Sequence, residues 1–332
     1  MRLDAYTHLF PMRYFERVQD LVADKGTIKR WLNIEMLWNV DARRRMIDGF
    51  GDYGQVLANS MPPLEIVAGP DITPEIARIA NDGFVELCAA YPDAFPAWIA
   101  SLPMNNPEAA VAEIDRSVAM GARGVQIFSN VAGKPLDLPE FFPIFERMAA
   151  HDLPVWLHPA RGPRFSDYAS EEKSKYEIWF VFGWPYETSA AMSRIVFSGM
   201  FDKLPELKVI CHHMGAMIPF FDGRVGPGWD QLGSRTSDED YEALLASMKK
   251  RPIDYFKMFY ADTALFGSAS GTRCGLNFFG VDHCLFASDC PFDPEGGPMF
   301  IRDTITVLDE LAISESDRTK LFEGNTRRLL KL

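Results

Sequence analysis

Apolar residues fall along this chain in short runs rich in β-branched and aromatic side chains, separated by longer stretches of helical period. Eight such runs are strand candidates: residues 2–7, 55–59, 97–102, 124–128, 154–158, 208–212, 258–262 and 284–288. Helical period covers 73–91, 138–151, 188–201 and 301–311. Another helix starts at Asn106-Pro107, with Asn at the N-cap, Pro in the first turn and acid after it, and stops before Gly121. Short strand followed by longer helix, repeated, is the order of βα units around a parallel sheet. Eight units in regular alternation predict an α/β chain closed as a (β/α)₈ TIM barrel.

Two stretches exceed the minimal repeat, residues 9–52 after the first strand and 160–187 after the fifth. Both leave the carboxyl ends of strands, the face where barrel enzymes build pockets, so helical insertions serving as lids or substrate walls are expected there. The second carries Phe165, Tyr168, Tyr176, Trp179, Phe180, Phe182, Trp184 and Tyr186. Such a cluster suits a pocket wall, with Trp179 and Trp184 against a planar substrate, and it equally suits a subunit interface. With the insertions included, residues 1–332 read as one barrel domain.

Composition narrows the partners. Hydrophobic residues make up 47% and charged ones 24%, enough for a large core without a structural metal, so any metal is expected to serve chemistry. The net charge of −12 comes without any basic block able to follow a phosphate backbone, which argues against nucleic acid. Five cysteines lack CxxC spacing, the N-terminal residues lack a signal-peptide pattern, and no apolar run is long enough to span a membrane. A cytoplasmic protein with reduced thiols is the expectation.

The candidate chemistry lies at the strand ends. His8 follows the first strand, His158 ends the fifth, His212 and His213 end the sixth, and Asp289 follows the eighth. Side chains at those ends converge on one mouth, where residues remote in sequence can meet around a metal. Taken singly, each histidine is as well read as a hydrogen-bonded strand end. Together, imidazole and carboxylate suit a divalent ion, zinc first, with manganese or iron compatible. His151 and His283 belong to the opposite face and receive no role.

The stretches Asp4-Ala-Tyr-Thr-His8, Val-Trp-Leu-His158-Pro, Cys-His-His213-Met-Gly and Phe-Ala-Ser-Asp289-Cys-Pro-Phe resemble the second amidohydrolase family, in particular its aminocarboxymuconate semialdehyde and γ-resorcylate decarboxylase group. The resemblance covers nearly the whole chain. It implies that His8, His158 and Asp289 bind the metal, that His213 stands beside it as acid/base with His213 or Asp289 handling the proton, and that Arg224 points toward a substrate carboxylate, in some relatives across a dimer interface. A surface ion pair is the other reading of Arg224. His212, one residue before His213 on a strand, is expected to face the outer helices.

Tyr6 departs from the pattern, because the family normally begins with His-x-His or Glu-x-His. A phenol titrates near 10 and is a poor ligand unless the metal lowers that value. Tyr6 can ligate as phenolate, or hydrogen-bond substrate or solvent beside a three-ligand ion, or mark a site without metal. The second reading is preferred, since three protein ligands suffice for a catalytic ion.

The activity implied is nonoxidative decarboxylation of an aromatic or muconate-like carboxylic acid. Hydrolysis or hydration by the same constellation is the alternative, and a metal-free barrel that only binds an aromatic acid is a third reading. A homodimer or homotetramer is implied as well.

Overall fold

The strand candidates form a ring in the computed structural model, which describes residues 1–22 and 28–332. The strands are β1 (Arg2–His8), β2 (Tyr53–Ala58), β3 in two pieces (Ala97–Trp98 and Ala100–Ser101), β4 (Val125–Phe128), β5 (Val155–His158), β6 (Val209–Cys211), β7 (Tyr260–Asp262) and β8 (Cys284–Leu285). Every neighbouring pair among them that forms a ladder is parallel. The ladder passes the break in β3 because the Ile99 N–H donates to Leu57 O at 2.8 Å and the Ala100 N–H to Gly124 O at 3.0 Å. Beyond β8 the chain stays beside β1, and Ala5 and His8 donate their N–H groups to Phe286 O and Cys290 O, both at 2.8 Å. Those two bonds close the barrel.

Alternation along the strands sorts the side chains. Leu3, Ala5, Val56, Ala58, Ala97, Ile99, Trp156, Ile210, Leu285 and Ala287 form one buried cluster inside the ring, joined by Leu329 and Leu330 of the C-terminal helix. Val125, Ile127, Val155, Leu157, Val209 and Cys211 face the surrounding helices. Burying each large apolar side chain contributes about 1.5–3 kcal/mol, so both faces of every strand are committed to packing except at the carboxyl ends.

The helix after β3 spans Pro107–Ala119, and Asn106 caps it by accepting the Ala109 N–H at 3.2 Å, as its sequence signals require. The insertion after β1 is helical: Met12–Leu21 packs with Phe10 and Leu37 onto the helix Thr73–Ala90, joined by Trp31 and Leu32 of Lys29–Leu32, while Val40–Asp48 packs into the main core through Ile47. The part of that expected insertion at residues 23–27 lies outside the described residues. The second insertion departs from expectation. Residues 160–177 form no helix or strand, and helix begins only at Ile178–Val181, followed by Gly183–Phe197. Gly199, at φ +71°, ends that run and starts the separate turn Met200–Lys203, which splits the single helix expected over 188–201. All five cysteines are free, and no helix among the described residues is long and apolar enough to cross a membrane.

Candidate active site

A β-bulge in β1 sets the floor of the site. Asp4 pairs with Gln55 and Thr7 with Leu57, so Ala5 and Tyr6 together oppose Val56. The extra residue shifts the alternation by one position, which is why Leu3 and Ala5 join the interior cluster and Tyr6 joins it too. Tyr6 is fully buried, stacks on Trp156 with ring centroids 5.4 Å apart and a 7° interplanar angle, and donates its hydroxyl to Gln126 Oε1 in a short hydrogen bond. Burial, then Asp262 and Asp289, push its phenol well above the usual value, so it stands as a neutral donor.

Four imidazoles sit over that floor. Tyr6 meets His8 at 4.9 Å and His212 at 4.8 Å between ring centroids, His158 stacks on His212 at 5.2 Å, and His213 lies 3.6 Å from His212. Each ring is held through Nδ1: His8 by Asn59 O at 2.6 Å, His158 by Pro159 O at 2.7 Å, His212 by Asp262 Oδ2 at 2.7 Å and His213 by Ala264 O at 2.7 Å. With Nδ1–H donated to an acceptor, Nε2 is the nitrogen each ring turns to the centre. The Nε2 atoms of His8 and His212 are buried without a hydrogen-bond partner, and they lie 3.0 and 3.4 Å from Asp289 Oδ1.

Several buried nitrogens converging on one carboxylate, each fixed from behind, match what a divalent cation demands of its ligands. The charges agree with this. Burial works to raise the carboxyl pKa of Asp289, yet His212 and His8 hold it well below the ordinary range. Burial disfavours the charged form of His212, but Asp262 and then Asp289 outweigh it and raise its pKa to about 9. In the metal-free chain the His212 proton thus supplies positive charge where a cation would otherwise sit. His158 is pushed well below its usual value by burial and by neighbouring His212 and His8, and His213 falls to about 4 through burial and His212.

The position of His212 corrects the sequence expectation. Ile210 faces the barrel interior, so alternation carries His212 inward, and the strand ends at Cys211. His213 and Met214 then take φ +59° and +56°, and this left-handed turn brings His213 to the same mouth. Gly215 follows at φ +69°, with the Phe279 ring only 2.6 Å from where a Cβ would stand. Only glycine satisfies both constraints.

Aromatic rings surround the cluster. Phe128 and Trp184 contact His158 at 5.1 and 5.6 Å, Phe292 contacts His8 at 5.5 Å, and Phe266 contacts His213 at 5.3 Å. Trp184 thus borders the histidines, whereas Trp179 packs behind it at 6.0 Å. Arg224 is exposed on the turn Arg224–Gly228, outside this group of contacts. Arg30, which the sequence did not single out, lies over the rings of Phe292 and Phe180 at 5.1 and 5.8 Å, and its Nη2 donates to Phe292 O at 3.2 Å. Asp262, also missed, accepts the His213 and Ala264 N–H groups besides holding His212. His151 and His283 lie away from the cluster, bonded to Asp115 and to Phe259 O.

Comparison with known proteins accords with this geometry. The γ-resorcylate decarboxylase of Polaromonas sp. strain JS666 is 30% identical over 333 residues, covering 96% of this chain and 97% of the relative. The 2-amino-3-carboxymuconate-6-semialdehyde decarboxylase of Dictyostelium discoideum is 28% identical over 296 residues, covering 89% and 77%. A solved dihydroxybenzoic acid decarboxylase from Polaromonas sp. JS666, with bound manganese and the inhibitor 2-nitroresorcinol, superposes with a TM-score of 0.80 at 26% identity, covering 100% of this chain and 97% of that one. The amidohydrolase family model matches residues 16–332, and the chain belongs to that family.

Proposed function

We propose that this protein is a metal-dependent, nonoxidative decarboxylase of an aromatic or muconate-like carboxylic acid. The observation that carries the reading is the convergence of His8, His158, His212, His213 and Asp289 inside a ring of aromatic side chains. His8, His158 and Asp289 would hold a divalent ion, which supplies Lewis-acid grip on the substrate carboxylate and a neighbouring oxygen. The sequence favours zinc, and the manganese in the solved relative makes manganese the ion to load first. Phe128, Trp184, Phe266 and Phe292 would clasp the planar ring and keep water from it. His213, part-buried at the mouth, would give a proton to the ring carbon that bears the carboxylate. The bond to the carboxyl carbon then breaks, carbon dioxide leaves, and the bonding electrons return to the ring.

The test is carbon dioxide release from dihydroxybenzoates and carboxyvanillate, before chelation, after it, and after manganese or zinc is restored. Activity is expected to vanish with the metal and return with it. Product formed without carbon dioxide would move the assignment to hydrolysis or hydration. Turnover that survives complete metal removal would overturn the metal-dependent reading.

Arg30 is exposed but lies over Phe292, the ring that contacts His8, and among the described residues it makes no ion pair. We propose that it receives the substrate carboxylate or the edge of a bound anion. A charge-assisted hydrogen bond contributes about 1.5–3 kcal/mol, so Arg30→Gln is expected to raise KM by about tenfold or more with a smaller change in kcat. An unchanged KM would return that role to Arg224 acting from a neighbouring subunit.

Tyr168, Tyr176, Phe182, Tyr186 and Phe220 are all more than half exposed, with Tyr176 reaching 90%. An aromatic surface of this extent suits a homo-oligomer interface. Light scattering is expected to show a dimer or tetramer, shifted toward monomer by Phe182→Glu. A monomeric wild-type chain would refute this.

A further inference from the structure

We propose that His212 is itself a ligand of the divalent ion, completing the set formed by His8, His158 and Asp289, while Tyr6 stays outside it. This rests on the metal-dependent reading above and specifies how the ion is held. Among the described residues two groups have ligand atoms all within 4.8 Å of one another, His8 with His158 and His212, and His212 with His213 and Asp289. His212 is the member common to both. One Nε2 can serve only one ion, so the overlapping groups describe a single centre rather than a pair.

His212 is preferred over His213 for three reasons. It is fully buried, whereas His213 is part-buried beside Phe266 at the mouth. Its Nδ1 is held by the Asp262 carboxylate, whereas His213 has a carbonyl, and a carboxylate behind an imidazole makes the other nitrogen the stronger donor. Its Nε2 is among the buried polar atoms without a hydrogen-bond partner, close to Asp289 Oδ1. Tyr6 cannot take this place while its hydroxyl is committed to Gln126. With the phenol turned away, His8 is the one ligand that β1 provides, and β6 makes up the difference.

Manganese binding measured by calorimetry on the full-length chain tests this. His212→Ala is expected to weaken binding by at least about 100-fold and Asp262→Asn by about tenfold, since partners behind a ligand account for about 10–100-fold in affinity. Tyr6→Phe is expected to leave affinity within about threefold of wild type, because no ligand is lost. Tyr6→His added to His212→Ala is expected to recover binding, since the two rings are neighbours. A second measurement needs no variant. The cobalt-loaded wild-type chain is expected to show one hyperfine-shifted exchangeable Nδ1–H resonance for each of His8, His158 and His212, and the absence of the His212 resonance would overturn the inference. Equal affinity in His212→Ala and wild type would do the same, as would loss of binding in Tyr6→Phe. A wild-type chain that takes up no manganese, zinc or iron would instead defeat the metal-dependent reading on which the inference stands.

Discussion

Replacing His213 with alanine is expected to leave the metal in place and remove most of the turnover, lowering kcat by about 10²–10⁴-fold, the usual worth of a positioned proton donor. The expectation follows from where the ring sits. His213 has its Nδ1 bonded to Ala264 O, so Nε2 is left toward the mouth, where Phe266 and Trp184 bracket the cluster. Burial and neighbouring His212 push its pKa down to about 4 in the metal-free chain, so Nε2 is unprotonated near neutral pH and takes up a proton from solvent or substrate before passing it to the ring carbon. Metal content and kcat measured on the same preparation check the prediction. Loss of the ion in His213→Ala would place this histidine in the ligand set and leave the proton transfer to another group. Retention of both ion and turnover would take His213 out of the mechanism.

The eight strands were legible because apolar, β-branched and aromatic residues are concentrated in short runs, and each observed strand overlaps its expected range. His8, His158 and Asp289 were legible for a related reason, since strand ends in a barrel share one face. His212 was not. Its orientation depends on which residue of β6 faces inward, and a run of Val, Ile and Cys is apolar on both faces. The polar residues beside that run, Lys208 before it and the two histidines after it, lie outside the observed strand, so sequence alternation had little to set its phase. Tyr6 was legible as an anomaly, but its partner Gln126 comes from a distant strand, and only the bulge at Ala5-Tyr6 explains how the phenol enters the barrel. Arg30 was missed because it belongs to a helical insertion whose docking onto Phe292 and Phe180 is a tertiary fact with no local signature. Within the aromatic insertion Trp184 turns inward to His158, while Tyr176 and Phe182 turn to solvent.

Asp289→Asn is expected to have the largest effect of any isosteric change in this protein, lowering metal affinity by at least about 100-fold and turnover by about 10³-fold or more. Asp289 is buried at φ +63°, a left-handed conformation that asparagine adopts as readily as aspartate, so backbone and volume are preserved. The charge is lost, and an amide with a single oxygen replaces the carboxylate that His8 and His212 face at 3.0 and 3.4 Å. The metal-free variant should remain folded. An amide can donate to His8 Nε2, which otherwise has no hydrogen-bond partner, and a buried carboxylate is replaced by a neutral group. Thermal melting without metal is therefore expected to stay near wild type, while the increase in Tm that manganese gives the wild-type chain disappears from the variant. That contrast separates loss of a ligand from loss of the fold. If manganese still raised the Tm of Asp289→Asn as it does for the wild type, the carboxylate would not be holding the ion, and its buried charge would have to serve the imidazoles alone.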